Sequence, residues 1–133
     1  MSVIRKMNYR TKKHLYVKIG KNKVFGRNIE DDLEDSQQSS FTSKRLLVGD
    51  FTKAENAMKV ISKNISNTNW LYCPVFGVVV HPLEMTDGGL SEVEERVMQE
   101  LVAGSFPKVR KVIVWVGEVL SDKEVLSQFN GAS

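Results

Sequence analysis

The sequence predicts an α/β fold, a mixed five-stranded sheet with helical cover in the order β-β-β-α-β-α-β. Three observations carry this. Apolar residues alternate with a period of two over residues 13–29, the mark of half-buried strands. Two capping-box sequences each open a stretch with helical apolar spacing. Each of those stretches leads to a valine-rich run, at 74–81 and at 109–116, as a crossover leads to a parallel strand.

Residues 1–12 show no sustained periodicity and read as a basic, flexible arm before one domain at 13–133. Leu15, Val17 and Ile19 alternate along 13–20 and predict a first strand. Gly20 and Asn22 predict a tight turn, and Val24, Phe25 and Ile29 a returning strand over 23–29. Residues 30–40 carry five carboxylates in their first six positions. They read as a solvated acidic loop, because such a run buries too little apolar surface to offset its ordering. Residues 42–49, TSKRLLVG, predict the third strand.

Thr52 and Glu55 form a capping-box pair ahead of a stripe of Ala54, Ala57, Met58, Ile61 and Ile65, with Asn67 and Asn69 closing the helix. Residues 74–81, PVFGVVVH, are nearly all apolar and predict a central strand covered on both faces. After the Thr86-Asp87-Gly88-Gly89 turn, Ser91 and Glu94 open a second helix on Val93, Val97 and Leu101, flanked by Met98 and Val102, which Gly104 ends. Residues 109–116 are the last strand. Ser121 and Glu124 cap a short final helix through Val125, Leu126 and Phe129. Short links make the first three strands antiparallel, and helical crossovers make the later ones parallel.

Length and composition limit the function. The 133 residues form one domain, with 41% hydrophobic and 26% charged residues, as in ordinary globular chains. The net charge of +3 hides an asymmetry: residues 1–27 hold nine basic side chains and no acidic one, and the remainder is net acidic. The single cysteine, Cys73, excludes an internal disulfide and points to a reducing, cytoplasmic setting. His14, Cys73 and His81 lack metal-ligand spacing, so no metal and no cofactor is expected. No segment has the length or apolarity of a membrane span or a secretory signal.

Two segments resemble the bacterial rod-shape-determining, actin-like proteins. One is Val48-Gly49-Asp50-Phe51 followed by Glu55 and an amphipathic helix. The other runs over 78–118 around Val93-Glu94-Glu95-Arg96, and looks like that family's strand, capped helix and following strand. The resemblance implies a ribonuclease-H-like, actin-like subdomain and a cell-shape or cytoskeletal context. It departs where the chemistry lies. The family ends its first strand in an aspartate before a phosphate-cradling glycine turn, and here that position is Lys18. Lysine offers no oxygen to a magnesium-bound nucleotide or to the paired metals of a nuclease. The resemblance therefore implies one subdomain's scaffold without a complete nucleotide cleft.

Several residues remain as candidates. Gly20, Lys21 and Asn22, beside Lys23, offer backbone N–H groups and charge to an anion or nucleotide. Ser91 and Glu94 stand at a helix N-terminus, and Glu94 lies where the actin-like family carries a glutamate linked to nucleotide hydrolysis. The bland alternatives are a hairpin turn and a capping box. His81 ends the central strand, where open α/β sheets place ligands, but no sequence neighbour tunes it. Arg5, Lys6, Arg10, Lys12 and Lys13, around Tyr9, form a stretch suited to nucleic acid or an anionic membrane, or to neutralising the Glu30–Asp35 run internally. Trp70, Tyr72 and Trp115 read as packing residues. With no catalytic constellation, the reading is a non-enzymatic domain that binds a protein partner or itself. The alternatives are a nucleotide sensor or ATPase with a shared site, and polyanion or membrane-surface binding through residues 1–27.

Overall fold

The computed structural model describes residues 12–66 and 75–130. Five strands, β1 (His14–Gly20), β2 (Lys23–Asn28), β3 (Leu33–Gln38), β4 (Gly77–Pro82) and β5 (Lys111–Val114), form one sheet in the order β3-β2-β1-β4-β5. Among the described residues, three helices, α1 (Phe51–Ile65), α2 (Glu92–Ser105) and α3 (Asp122–Asn130), cover it. β1 pairs antiparallel with β2, β2 antiparallel with β3, and β1–β4 and β4–β5 are parallel. The general α/β class and the mixed five-stranded sheet are as the sequence predicts.

Helices α1 and α2 pack together on one face, α1 against β2 and β3 and α2 against β4 and β5. Leu15, Val17 and Ile19 of β1 and Val78 and Val80 of β4 meet Met58, Ile61 and Leu101 there, all fully buried. Each such side chain contributes about 1.5–3 kcal/mol by leaving water. At Gly26 the helix lies so close that an added Cβ would overlap Ile61 and come within 2.9 Å of Ile65. Among the described residues, the second face is covered by α3, through Val125 against Tyr16 and Val79. Gly77 admits the Phe129 ring, which a Cβ would strike.

The structure corrects the third strand. It is not 42–49 but 33–38, inside the stretch expected to be an acidic loop. The alternation is present there in polar form: Leu33, Asp35 and Gln37 are half-buried toward α1, and Glu34, Ser36 and Gln38 are exposed. Charge does not forbid it because the carboxylates are answered. Lys13 meets Asp31 at 2.8 Å, His14 meets Glu30 at 2.6 Å, and Arg27 meets Asp32 at 2.8 Å and Glu34 at 2.9 Å. A polar, charged strand is also what an exposed sheet edge favours. Residues 42–49 instead form a loop pinned by buried Phe41 and Leu47, whose turns close through Ser43 N–H to Leu46 O and Gly49 N–H to Phe41 O.

Helix boundaries also shift. Asp50, not Thr52, caps α1 by accepting from the Lys53 N–H at 3.1 Å, so the Thr52–Glu55 box does not form. The helix ends at Ile65, and buried Asn28 donates to the Ile65 carbonyl at 2.7 Å, satisfying a C-terminal orphan. The boxes at Ser91–Glu94 and Ser121–Glu124 form as expected. α2 runs one residue past Gly104, to Ser105. Val93, expected in its apolar stripe, is 72% exposed.

Candidate functional site

The carboxyl ends of β1 and β4 carry an apolar groove between two loops and α2. Pro82 closes β4, and Leu83 N–H still donates to Ile19 O at 2.9 Å, so the chain leaves the sheet tightly. Met85 takes a positive φ of 60°, and Gly89 N–H closes a turn on Thr86 O at 2.8 Å with Gly88 at φ 77° and Gly89 at φ 88°. This reverses the chain into the Ser91 cap, where the Ser91 hydroxyl accepts from the Glu94 N–H and the Glu94 carboxylate accepts from the Ser91 N–H at 2.9 Å. Val93 and Val97 then face Leu46 and Val48 of the 42–49 loop across the groove, with Met98 and Leu90 lining it. The groove holds about 90 Å³, well below the 300–1,000 Å³ of cofactor and drug sites, and about the size of one aliphatic side chain. Among its lining residues the charged ones are Glu84 and Glu94.

The predicted anion residues gather at this end, but their donors are already used. Lys21 N–H donates to Glu84 Oε2 at 3.2 Å, and Asn22 N–H donates to the Thr42 hydroxyl at 2.9 Å. Asn22, at φ 54°, returns a bond by accepting from the Thr42 N–H at 2.8 Å. The Gly20–Lys23 turn is thus a hairpin that anchors the 42–49 loop. Ser91 and Glu94 bond to each other. Glu84 is the link between the two groups, touching Lys21 and lining the groove with Glu94.

His81 is 1% exposed. Its Nε2–H donates to Gly117 O at 3.0 Å, since a carbonyl only accepts. In the neutral ring Nδ1 is then the acceptor, taking the Tyr16 O–H at 2.6 Å, and the Tyr16 oxygen accepts the Leu120 N–H at 3.1 Å. Burial holds the His81 pKa below its ordinary value, helped by nearby Lys18, while the bond to Gly117 opposes this. Burial raises the Tyr16 phenol. The chain of bonds ties the 117–120 loop to β1 and β4 and leaves His81 without access to a ligand.

Of the polyanion candidates, Lys13 is corrected: it is 2% exposed and committed to Asp31. Lys12 is exposed, with its ammonium 4.7 Å from the Phe76 ring centre. Arg5, Lys6 and Arg10 lie outside the described residues, as do Tyr9, Trp70, Tyr72 and Cys73. Trp115 is half-buried and donates from Nε1 to Glu118 O at 2.8 Å. Lys18 stands on β1 beside His81 of β4. Among the described residues no group of three metal-ligating side chains occurs, and no helix is long and apolar enough to cross a membrane. The groove itself was not legible in the sequence, because Leu46 and Val48 lie more than forty positions before Leu90 and Val93. The one local signal was Val93, an apolar residue in the first turn of a helix.

No protein-family model matches the sequence. The chain is 35% identical over 119 residues to "Uncharacterized protein YjaA" of Escherichia coli (strain K12), a match covering 85% of this chain and 94% of that protein.

Proposed function

The chain belongs to the family of YjaA, and we propose that it is a non-enzymatic protein-binding domain whose apolar groove takes one aliphatic side chain of a partner protein. The observation that carries this is the Leu46–Val93 groove. It is open, apolar, sized for a single anchor, and bordered by the 72% exposed Val93, 46% exposed Leu46 and 36% exposed Met85. An anchor in such a pocket is how a small contact concentrates its binding energy. Glu84 and Glu94, with Glu92 and Glu95 in the first turn of α2, favour a partner segment whose anchor is flanked by Lys or Arg. The strand order β3-β2-β1-β4-β5 supports a ribonuclease-H-like, actin-like reading of the scaffold. With the resemblance of the two segments, it supports a cell-shape or cytoskeletal partner.

A photo-crosslinking amino acid at position 93, with position 108 as control, tests this in cells. The expected result is a discrete protein adduct at 93 and not at 108, mapping to a segment with an aliphatic residue beside basic ones. The adduct is lost when Glu84 and Glu94 are both changed to Lys. A dimer of the chain would instead make a second copy the occupant, and no adduct at 93 would end the reading.

A further inference from the structure

Among the described residues, the second face of the sheet is only half covered. α3 packs on β1 and β4, and the antiparallel half toward β2 and β3 stays open as a shallow groove of about 400 Å³. The register sets its surface. Lys18 lies opposite Phe25, Phe25 opposite Ser36, and Lys23 opposite Gln38. The Phe25 ring is half-buried, with the Lys23 ammonium 5.0 Å and the Lys18 ammonium 5.7 Å from its centre. Among the described residues neither lysine has a carboxylate at ion-pair distance, unlike Lys13, Lys21, Arg27 and Lys59. Among the described residues, two cations without an ion-pair partner therefore border the half-buried Phe25 ring, Lys18 also lying 5.6 Å from the Tyr16 ring centre.

We propose that this face binds single-stranded nucleic acid, with Phe25 stacking a base and Lys18 and Lys23 contacting the adjacent phosphates. Sequence-tolerant single-strand sites combine an aromatic platform with positive charge in this way. The exchange is favourable. A lysine resting on a solvent-accessible ring edge or face gains about 0.5–1 kcal/mol, whereas a stacked base gains about 1–3 kcal/mol and frees the lysine for a phosphate. The other end of β2 is hostile to phosphate, because Arg27 there is surrounded by Asp32, Glu34 and Asp122. Arg27, Glu34 and Asp35 line the same groove as Lys18 and Phe25, while Lys23 lies four residues of strand, about 13 Å, from Arg27, beyond the roughly 8 Å screening length at physiological salt. The strand is thus held at the Lys18–Lys23 end. An acidic peptide would use the lysines but not the ring's π-face, and a membrane would accept leucine in its place.

The test is fluorescence anisotropy of the full chain with a labelled oligothymidylate of about ten nucleotides, a length within one site of this kind. Phe25→Leu keeps the apolar bulk and removes the π-face, and is expected to weaken binding about tenfold. Lys18→Gln and Lys23→Gln should each reduce the slope of log affinity against log salt by about 0.7. Amide shifts in the labelled wild-type chain should fall on Lys18 and Lys23–Phe25, a readout that does not depend on any variant folding. Four results would overturn the proposal: no binding at submillimolar protein, an undiminished Phe25→Leu, shifts confined to residues 1–12, or equal displacement by heparin and by unlabelled oligonucleotide.

Discussion

The Lys13 ammonium lies 2.8 Å from the Asp31 carboxylate with both side chains almost wholly buried, joining the start of β1 to the turn between β2 and β3. Asp31 also accepts from the Asn28 amide at 3.1 Å, and Asn28 holds the end of α1, so one cluster secures two strands and a helix. Removing one partner of a buried pair strands a charge. Lys13→Met should cost about 3–5 kcal/mol, measured by urea unfolding. The Lys13→Met, Asp31→Asn double variant should recover most of it. An additive double variant would show that the two side chains do not act on each other.

His81 makes stability depend on acid. Its pKa is depressed in the fold by burial, so the unfolded chain binds the proton more readily. Stability from this group is complete above the ordinary histidine pKa of about 6.5 and is lost as pH falls below it. The depressed pKa values of Asp35, Asp122 and Glu124 act only at lower pH, near the ordinary carboxylate range of about 4. The melting temperature should therefore drop in two stages on acidification, and His81→Gln should flatten the first. In wild type, nitrogen shifts should place the His81 proton on Nε2, with the ring taking up its second proton at a lower pH than an ordinary histidine. A proton on Nδ1 would exclude the bond order from Tyr16 to Gly117.

Two glycines mark where helices touch the sheet. Gly26→Ala would press on Ile61 and Ile65, and Gly77→Ala on the Phe129 ring. Overpacking of this kind costs about 1–3 kcal/mol. Gly77→Ala and Phe129→Ala should be non-additive, because loss of the ring removes the overlap, whereas Gly26→Ala and Phe129→Ala act on opposite faces of the sheet and should add. Thermal unfolding of the three single and two double variants checks this.

Val93→Asp tests the groove without testing the fold. Because Val93 is 72% exposed, the substitution should change unfolding free energy by no more than about 0.5 kcal/mol. A larger loss in chemical denaturation would mean that Val93 supports α2 and is unfit as a docking probe. Ser91→Ala, which removes a cap, should cost about 1 kcal/mol and serves as the contrasting variant.

Local grammar was enough for β1, β2, β4, β5, α2 and the final helix, because period, capping boxes and turn residues act over a few neighbours. The Gly20–Asn22 hairpin and the Thr86–Gly89 turn were legible for the same reason. β3 was not. Its alternation runs through Asp35 and Gln37 rather than apolar residues, and Asp35 is held there by Asn64 of α1 at 2.8 Å, an acceptor–donor match that appears only when strand and helix meet.

The sequence by itself determined the α/β class, the antiparallel start with its parallel crossovers, the Ser91 and Ser121 helix caps and the lack of a first-strand carboxylate. These follow from patterns between residues a few positions apart. The tertiary structure decided that the acidic run becomes an edge strand, that Lys13 is an internal counter-ion, that the anion donors of Lys21 and Asn22 are occupied, and that Val93 and Leu46 form one groove while Lys18, Lys23 and Phe25 form one surface. Each of these depends on which distant charge or side chain arrives beside a residue. Coulombic pairing and desolvation act through space, not along the chain.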